Sequence, residues 1–224
     1  MELFETQNSV SVKLVKYSND GTVTLTLSDK RKLRIALEKW SDLGQPLNES
    51  LSDKVQKVLE QESCYTLIRN KMLSLLAKRE HSAQELTRKI KQNSYISKIN
   101  GFDDLIERCL LEMQEKGFQS DNRFARQYVE SKLSNKLHGP LKILVGLFNR
   151  GIPKEQANLI INELGHQKLW LKKSIEYLEK IQKKKKKNVT PQVLIQKLYQ
   201  QGFTWETIEE AVEIFHEMEN FKEE

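Results

Sequence analysis

Pro140-Leu141-Lys142-Ile143-Leu144-Val145-Gly146-Leu147-Phe148-Asn149-Arg150-Gly151 returns 51 positions later as Pro191-Gln192-Val193-Leu194-Ile195-Gln196-Lys197-Leu198-Tyr199-Gln200-Gln201-Gly202. Each copy opens on proline and closes on glycine, the order expected of a short helix whose first turn tolerates proline and whose end needs a left-handed residue. The copying continues downstream, where Glu155, Ile161 and Leu164 recur as Glu206, Val212 and Phe215. A fainter copy lies upstream, with His81-Ser82-Ala83 aligned on His138-Gly139-Pro140 and Phe102 on Ile152. It carries about seven additional residues between those anchors. A period near 50 built only of helical pattern predicts stacked supersecondary units that present a long surface, and so favours binding over catalysis.

Working outward, the first unit takes a helix over Thr66–Lys78, with Leu67, Ile68, Met72, Leu75 and Leu76 at helical spacing. A second starts at the capping box of Ser82 and Glu85 and buries Leu86 and Ile90. A third covers Phe102–Lys116 and stops at Gly117. The second unit opens at Ser120-Asp121, with Phe124, Tyr128, Val129 and Leu133 on one face. Its middle helix buries Ile143, Leu144, Leu147 and Phe148, and its last helix, after Pro153, buries Ala157, Ile160, Ile161 and Leu164. The third unit repeats the plan with Leu169–Ile181, a helix from Thr190-Pro191, and one capped by Thr204. Nine helices in three triplets are expected, each triplet with a helix-turn-helix-like corner.

The amino-terminal stretch differs. Val10, Val12 and Leu14 alternate with polar residues, as do Val23, Leu25 and Leu27, then Leu33, Ile35 and Leu37. Turns at Asn19-Asp20-Gly21 and Ser28–Arg31 complete a three-stranded antiparallel meander with one apolar face. Trp40-Ser41-Asp42-Leu43-Gly44-Gln45-Pro46 marks a boundary, and Ser52–Gln61 reads as a short polar helix. The expected fold is mainly α: three tandem three-helix repeats in an elongated array, preceded by the meander. The expected domains are residues 1–44 (meander), 45–65 (short helix and linker), 66–119, 120–166 and 167–224 (repeats).

Composition narrows the class. Of 224 residues, 38% are hydrophobic and 30% charged, which suits a chain with much surface for its core. Thirty-seven bases against 31 acids leave a formal charge of +6, which favours an acidic partner. No window approaches the roughly 18 apolar residues that span a bilayer. Met1-Glu2-Leu3-Phe4-Glu5 does not read as a secretory signal, and Cys64 and Cys109 lack any CxxC spacing, so a cytoplasmic chain without a disulfide is expected.

Leu76-Ala77-Lys78-Arg79-Glu80-His81-Ser82-Ala83-Gln84-Glu85-Leu86 resembles the first signature of the RecX family, bacterial regulators of the RecA recombinase. Glu115-Lys116-Gly117-Phe118-Gln119-Ser120-Asp121-Asn122-Arg123-Phe124-Ala125 is similar to its second, and His138-Gly139-Pro140 with Arg150-Gly151-Ile152 to the stretch that follows. The likeness covers about residues 65–215. It implies a non-enzymatic protein that binds in the groove of the RecA–single-stranded DNA filament, touches neighbouring protomers, and mainly inhibits ATP hydrolysis, strand exchange and co-protease activity. It also implies a role in DNA repair, homologous recombination and the SOS response. Where the family commonly has an arginine, this chain has Lys132 and Lys136, which keep the charge and lose the planar fork.

No phosphate-binding GxxxxGK[ST] loop, metal-ligand spacing or nucleophile–base pair is present, and no cofactor is expected. Tyr65, Phe102, Phe118, Phe124, Tyr128, Phe148 and Trp170 sit at core spacings, which argues against a base-stacking platform. The expected electrostatic footprint is Arg79, Arg88 and Lys89 around the first signature, and Arg123, Arg126, Lys132 and Lys136 along the second. Lys142 and Arg150 extend it over the middle helix, and Lys183, Lys184 and Lys185 begin a five-lysine run. The expected partner is the RecA nucleoprotein filament, with weak non-specific DNA binding by a monomer. Two alternatives stand beside it: direct DNA binding through the helix-turn-helix-like repeats, and a generic helical scaffold. The apolar and acidic third helices disfavour the first alternative, because a groove reader concentrates Arg, Asn or Gln there.

Overall fold

The structure is a computed structural model that describes residues 9–93, 101–184 and 190–223. Its contacts divide the chain into two units, one running to Arg79 and resuming over Leu86–Phe118, the other made of Glu80–Glu85 and the chain from Gln119 onward.

In the first unit the alternating stretch forms β1 (Val12–Tyr17), β2 (Thr22–Leu27) and β3 (Lys32–Ala36), an antiparallel sheet in the order β1-β2-β3. Val23 pairs with Ile35 and Leu25 with Leu33, so β2 and β3 turn their apolar side to one face. Leu14 departs from the expected alternation and is 60% exposed. The β1–β2 register shifts between Val12 and Leu14, and the extra residue moves the inward position on to Val15. The third strand also ends earlier than expected. Leu37–Asp42 is a short helix, α1, which carries Trp40 into the sheet's core with Ile35, Leu51 and Leu59. The chain then returns along β1: the Asn48 amide donates to the Val12 carbonyl at 2.8 Å and the Leu51 amide to the Val10 carbonyl at 2.8 Å.

The two helices expected on either side of residues 62–65 are one. Helix α2 runs unbroken over Asp53–Leu76, with Ser52 Oγ accepting from the Val55 amide. Glu62-Ser63-Cys64-Tyr65 contains neither glycine nor proline, so nothing ends the helix there. At about 36 Å it is long enough to bury Leu59 against the sheet and Ile68 and Met72 against α4 (Phe102–Glu115). Helix α3 (Ala83–Lys91) adds Ile90 to that second core, and Cys109 is fully buried in it, as its apolar neighbours imply.

The second unit contains α5 (Asp121–Asn135), α6 (Pro140–Phe148), α7 (Lys154–Leu164), α8 (Gln167–Lys184), α9 (Pro191–Gln201) and α10 (Trp205–Glu223). Helices α2–α4, α5–α7 and α8–α10 are thus the three expected triplets, with α1 in addition. The 51-residue offset holds in the packing: Ile143 and Leu194, Leu147 and Leu198, Ile152 and Phe203, Ala157 and Ile208, and Ile161 and Val212 are all buried.

Within the second unit one junction occurs twice. The start of α6 lies against the turn after α9, where the Gly139 amide donates to the Gln201 carbonyl at 2.8 Å and the Leu141 amide to the Gly202 carbonyl at 2.9 Å. A Cβ on Gly139 would stand 2.3 Å from the Gly202 carbonyl, which forces glycine at this approach. One triplet earlier, Gln84 at the start of α3 lies against Gly151, and a Cβ there would stand 2.7 Å from the Gln84 Cβ. Gly151 and Gly202 occupy equivalent positions, with φ of 81° and 80°, a conformation that costs other residues about 1–2 kcal/mol. The polar clasp is equivalent in place and different in chemistry: Arg150 Nε pairs with Glu85 Oε1 at 3.2 Å, and Lys142 Nζ donates to Gln201 Oε1 at 3.1 Å.

Candidate partner-binding surface

The first signature is a structural device. Ser82 Oγ accepts from the Glu85 amide at 3.1 Å, as the capping box predicts, and the Glu85 carboxylate also holds Arg150. The His81 carbonyl accepts from Gln119 Nε2, which donates to Asp121 Oδ1 as well, and Asp121 Oδ1 accepts from the Ala83 amide at 2.8 Å. The two signatures therefore brace one another within the second unit.

Of the expected footprint, Arg79, Arg88 and Lys89 fall in the first unit, where Arg79 and Arg88 are exposed and Lys89 is half-buried. The rest fall in the second. Arg123 Nε donates to Glu80 Oε1 at 2.8 Å. Arg126 makes a fork with Glu163, at 2.9 and 2.6 Å, and its Nε donates to Asn122 Oδ1. That hydrogen bonding raises the Arg126 pKa and lowers that of Glu163. Both arginines thus carry a carboxylate partner on the surface, where such pairs contribute little to stability but offset the charge shown to a ligand. Lys132 and Arg150 lie over the Tyr128 ring at 4.8 and 4.9 Å, and Arg150 also donates to the Gly146 carbonyl.

Lys136 and Lys142 are exposed, and among the described residues Lys132, Lys136 and Lys142 form no ion pair. All three act on His138, whose pKa is lowered first by burial and then by Lys142, Lys132 and Lys136. Lys183 is exposed, the side chain of Lys184 is not described, and Lys185 lies outside the described residues. The structure thus gathers three of the expected cations round one imidazole and gives Arg123, Arg126 and Arg150 acidic partners.

Two features escaped the sequence. Lys173 and Lys180, seven residues apart on α8, face the same cleft as Lys136 and His138. The signal was available, since Lys173 falls on the helix face that carries Trp170, Ser174 and Leu178, all buried. The second feature is apolar. Phe148, expected in the core, is 64% exposed and its counterpart Tyr199 67%, because Ile143 and Leu147 on α6 already fill the inward positions. Phe118 is exposed as well, so the aromatic residues are not all internal. Leu141, Val145 and Phe148 make an open apolar stripe along α6. Among the described residues no His, Cys, Asp and Glu cluster of three or more could hold a metal, and no helix is long and apolar enough to cross a membrane.

The model of the second three-helix domain of RecX matches residues 120–158. A regulatory protein RecX of Legionella pneumophila is 34% identical over 91 residues, 41% of this chain and 56% of that protein. One from Pseudomonas fluorescens is 31% identical over 98 residues, 44% of this chain and 59% of its own length. The matched stretch thus spans between half and three-fifths of these relatives. A crystal structure of regulatory protein RecX has the same fold, with a TM-score of 0.72 at 16% identity over 90% of this chain and 98% of that one. RecX from Lactobacillus salivarius follows with a TM-score of 0.59 at 19% identity, over 68% of this chain and 97% of its own. The domain match and the sequence likeness thus make the chain similar to RecX regulatory proteins over its central part, and the solved RecX structures share its fold.

Proposed function

We propose that this chain regulates RecA by binding in the groove of the RecA–single-stranded DNA filament, chiefly inhibiting ATP hydrolysis, strand exchange and co-protease activity. The observation that carries this reading is the junction made twice, Gln84 on Gly151 and Gly139 on Gly202, which makes the second unit a periodic body. A ligand built of equal repeats suits a polymer of equal protomers, because each repeat can add a modest contact to the same target. Lys132, Lys136 and Lys142 supply positive charge toward acidic protomer surfaces or nearby phosphates. The apolar stripe of Leu141, Val145 and Phe148 supplies area that excludes water. The repeats over residues 66–119, 120–166 and 167–224 are the binding modules, and the protein acts as a cytoplasmic monomer without chemistry of its own.

The test adds the protein to RecA filaments on single-stranded DNA and follows ATP hydrolysis, with DNA affinity measured separately without recombinase. Inhibition at protein concentrations below that of RecA, alongside weak salt-sensitive DNA binding, is the expected result. Tight sequence-selective duplex binding with no effect on RecA would instead support the direct DNA-binding reading.

A further inference from the structure

We infer that the cleft between the end of α5, the start of α6 and the flank of α8 is a binding site for phosphate groups, with Lys136, Lys173 and Lys180 as its cations and His138, Tyr177 and Ser134 as its neutral donors. The cleft holds about 630 Å³, within the roughly 300–1,000 Å³ typical of small-ligand sites. Glu176 is the one carboxylate in its lining, against three lysines, and among the described residues none of those lysines is in an ion pair.

Each group has hydrogen-bonding capacity to spare. Lys173 is only 8% exposed and its Nζ donates to the Leu133 carbonyl, which orients the ammonium and leaves two of its three N–H groups for a ligand. Tyr177 Oη accepts from Gln201 Nε2 at 3.0 Å, so its own hydrogen is available. Gln201 is committed on both sides, because its Oε1 takes Lys142 Nζ. It therefore braces the wall and keeps Lys142 beside the cleft. Lys180 lies at the mouth, one turn before Lys183 on the exposed continuation of α8.

The field inside is positive before any ligand arrives. Burial first, and then Lys142, Lys132 and Lys136, lower the His138 pKa, which keeps the ring neutral at physiological pH and able to donate one N–H. The groups facing that imidazole are Lys132 and Lys136 from the end of α5, Lys142 from α6, Lys173, Glu176, Tyr177 and Lys180 from α8, and Gln201 from α9. Cations that outnumber the one carboxylate among them repel one another, and a bound dianion offsets that repulsion while taking charge-assisted hydrogen bonds. The shared chemistry is phosphate, whether from a free polyphosphate or from a single-stranded nucleic acid backbone.

The full chain, with its histidine rings isotopically labelled, is titrated with inorganic pyrophosphate and separately with a short oligothymidylate while the His138 resonances are followed by NMR. Saturable shifts with at least one ligand, and a rise in the His138 pKa on saturation, are expected, and the ligand that saturates names the source. The surface variant Lys136→Glu with Lys180→Glu should weaken binding by about tenfold or more, whereas Lys180→Arg should keep it. Absence of saturation with both ligands, or equal affinity in the doubly reversed variant, would overturn the site. No RecA is present, so the result stands apart from the filament reading.

Discussion

Replacing Gly139 by alanine should open the junction between the second and third triplets. Gly139 has an ordinary backbone conformation (φ −77°), so the substitution carries no dihedral strain and its whole effect comes from contact. The new Cβ would stand 2.3 Å from the Gly202 carbonyl carbon and oxygen and from the Phe203 nitrogen, where carbon atoms settle at about 3.5–4.0 Å. All three obstacles are main chain and cannot rotate away. The strands of backbone must part by about 1 Å, which lengthens the hydrogen bonds to Gln201 and Gly202, now 2.8 and 2.9 Å, past useful range. Overpacking of this kind costs about 1–3 kcal/mol and each of the two lost hydrogen bonds about 1 kcal/mol, so a loss of about 3–5 kcal/mol is expected. Gly117→Ala is the control: its φ is +70° and no atom lies within 4 Å, so only backbone strain of about 1–2 kcal/mol applies. Urea unfolding followed by far-UV CD gives the midpoints, and native-state hydrogen exchange reports the Leu141 amide. An unchanged midpoint with Leu141 still protected in Gly139→Ala would refute the junction.

Arg123→Glu with Arg126→Glu should weaken inhibition of RecA ATP hydrolysis while the helical CD signal persists, because both side chains pair on the surface with Glu80 and Glu163; full inhibition by that variant would move the binding face elsewhere. Burial alone would raise the Glu112 carboxyl, but hydrogen bonds from Lys116, Tyr65 and Arg69 outweigh it and hold the pKa at about 2. A carboxyl lowered on folding stabilises above its unfolded value of 4.5 and loses that stabilisation as pH falls toward 2. Urea midpoints of the parent should therefore fall between those pH values, while Glu112→Gln should start lower and show a flatter slope. Burial pushes the Cys109 thiol up to about 12 and raises that of Cys64; native protein at pH 8 should react slowly with a thiol reagent at both, and rapid modification of Cys109 would contradict its packing.

The triplets were legible because their punctuation is local. Pro140, Gly151, Pro191 and Gly202 mark ends, and apolar spacing marks faces, without reference to anything distant. The unbroken α2 is masked in the sequence by a change from polar to apolar pattern that mimics a boundary, although no residue between Gln61 and Thr66 breaks a helix. The alternation points Leu14 inward because one inserted residue in a strand pair leaves no mark in the pattern. Phe148 shows the limit of hydrophobicity as a guide: its place directly after Leu147 turns it off the buried face. The neutralised arginines were beyond reach for another reason. Arg123 and Glu80 are 43 positions apart, and Arg126 and Glu163 are 37, so only the fold brings them together. The cleft on α8 shares that origin, since Lys136 and Lys173 belong to different triplets.

A body made by stacking equal parts risks adding a stranger's part to its own end, and the unequal clasps bear on that hazard. The corner ending in Arg150 meets Glu85, whereas the helix start bearing Lys142 meets the neutral Gln201. Were the Arg150 corner of one molecule offered to the Lys142 shoulder of another, two cations would face each other where the native partners attract. Exchange of one junction's partner for the other's is thereby penalised. The chain keeps its modular geometry and still encodes who follows whom.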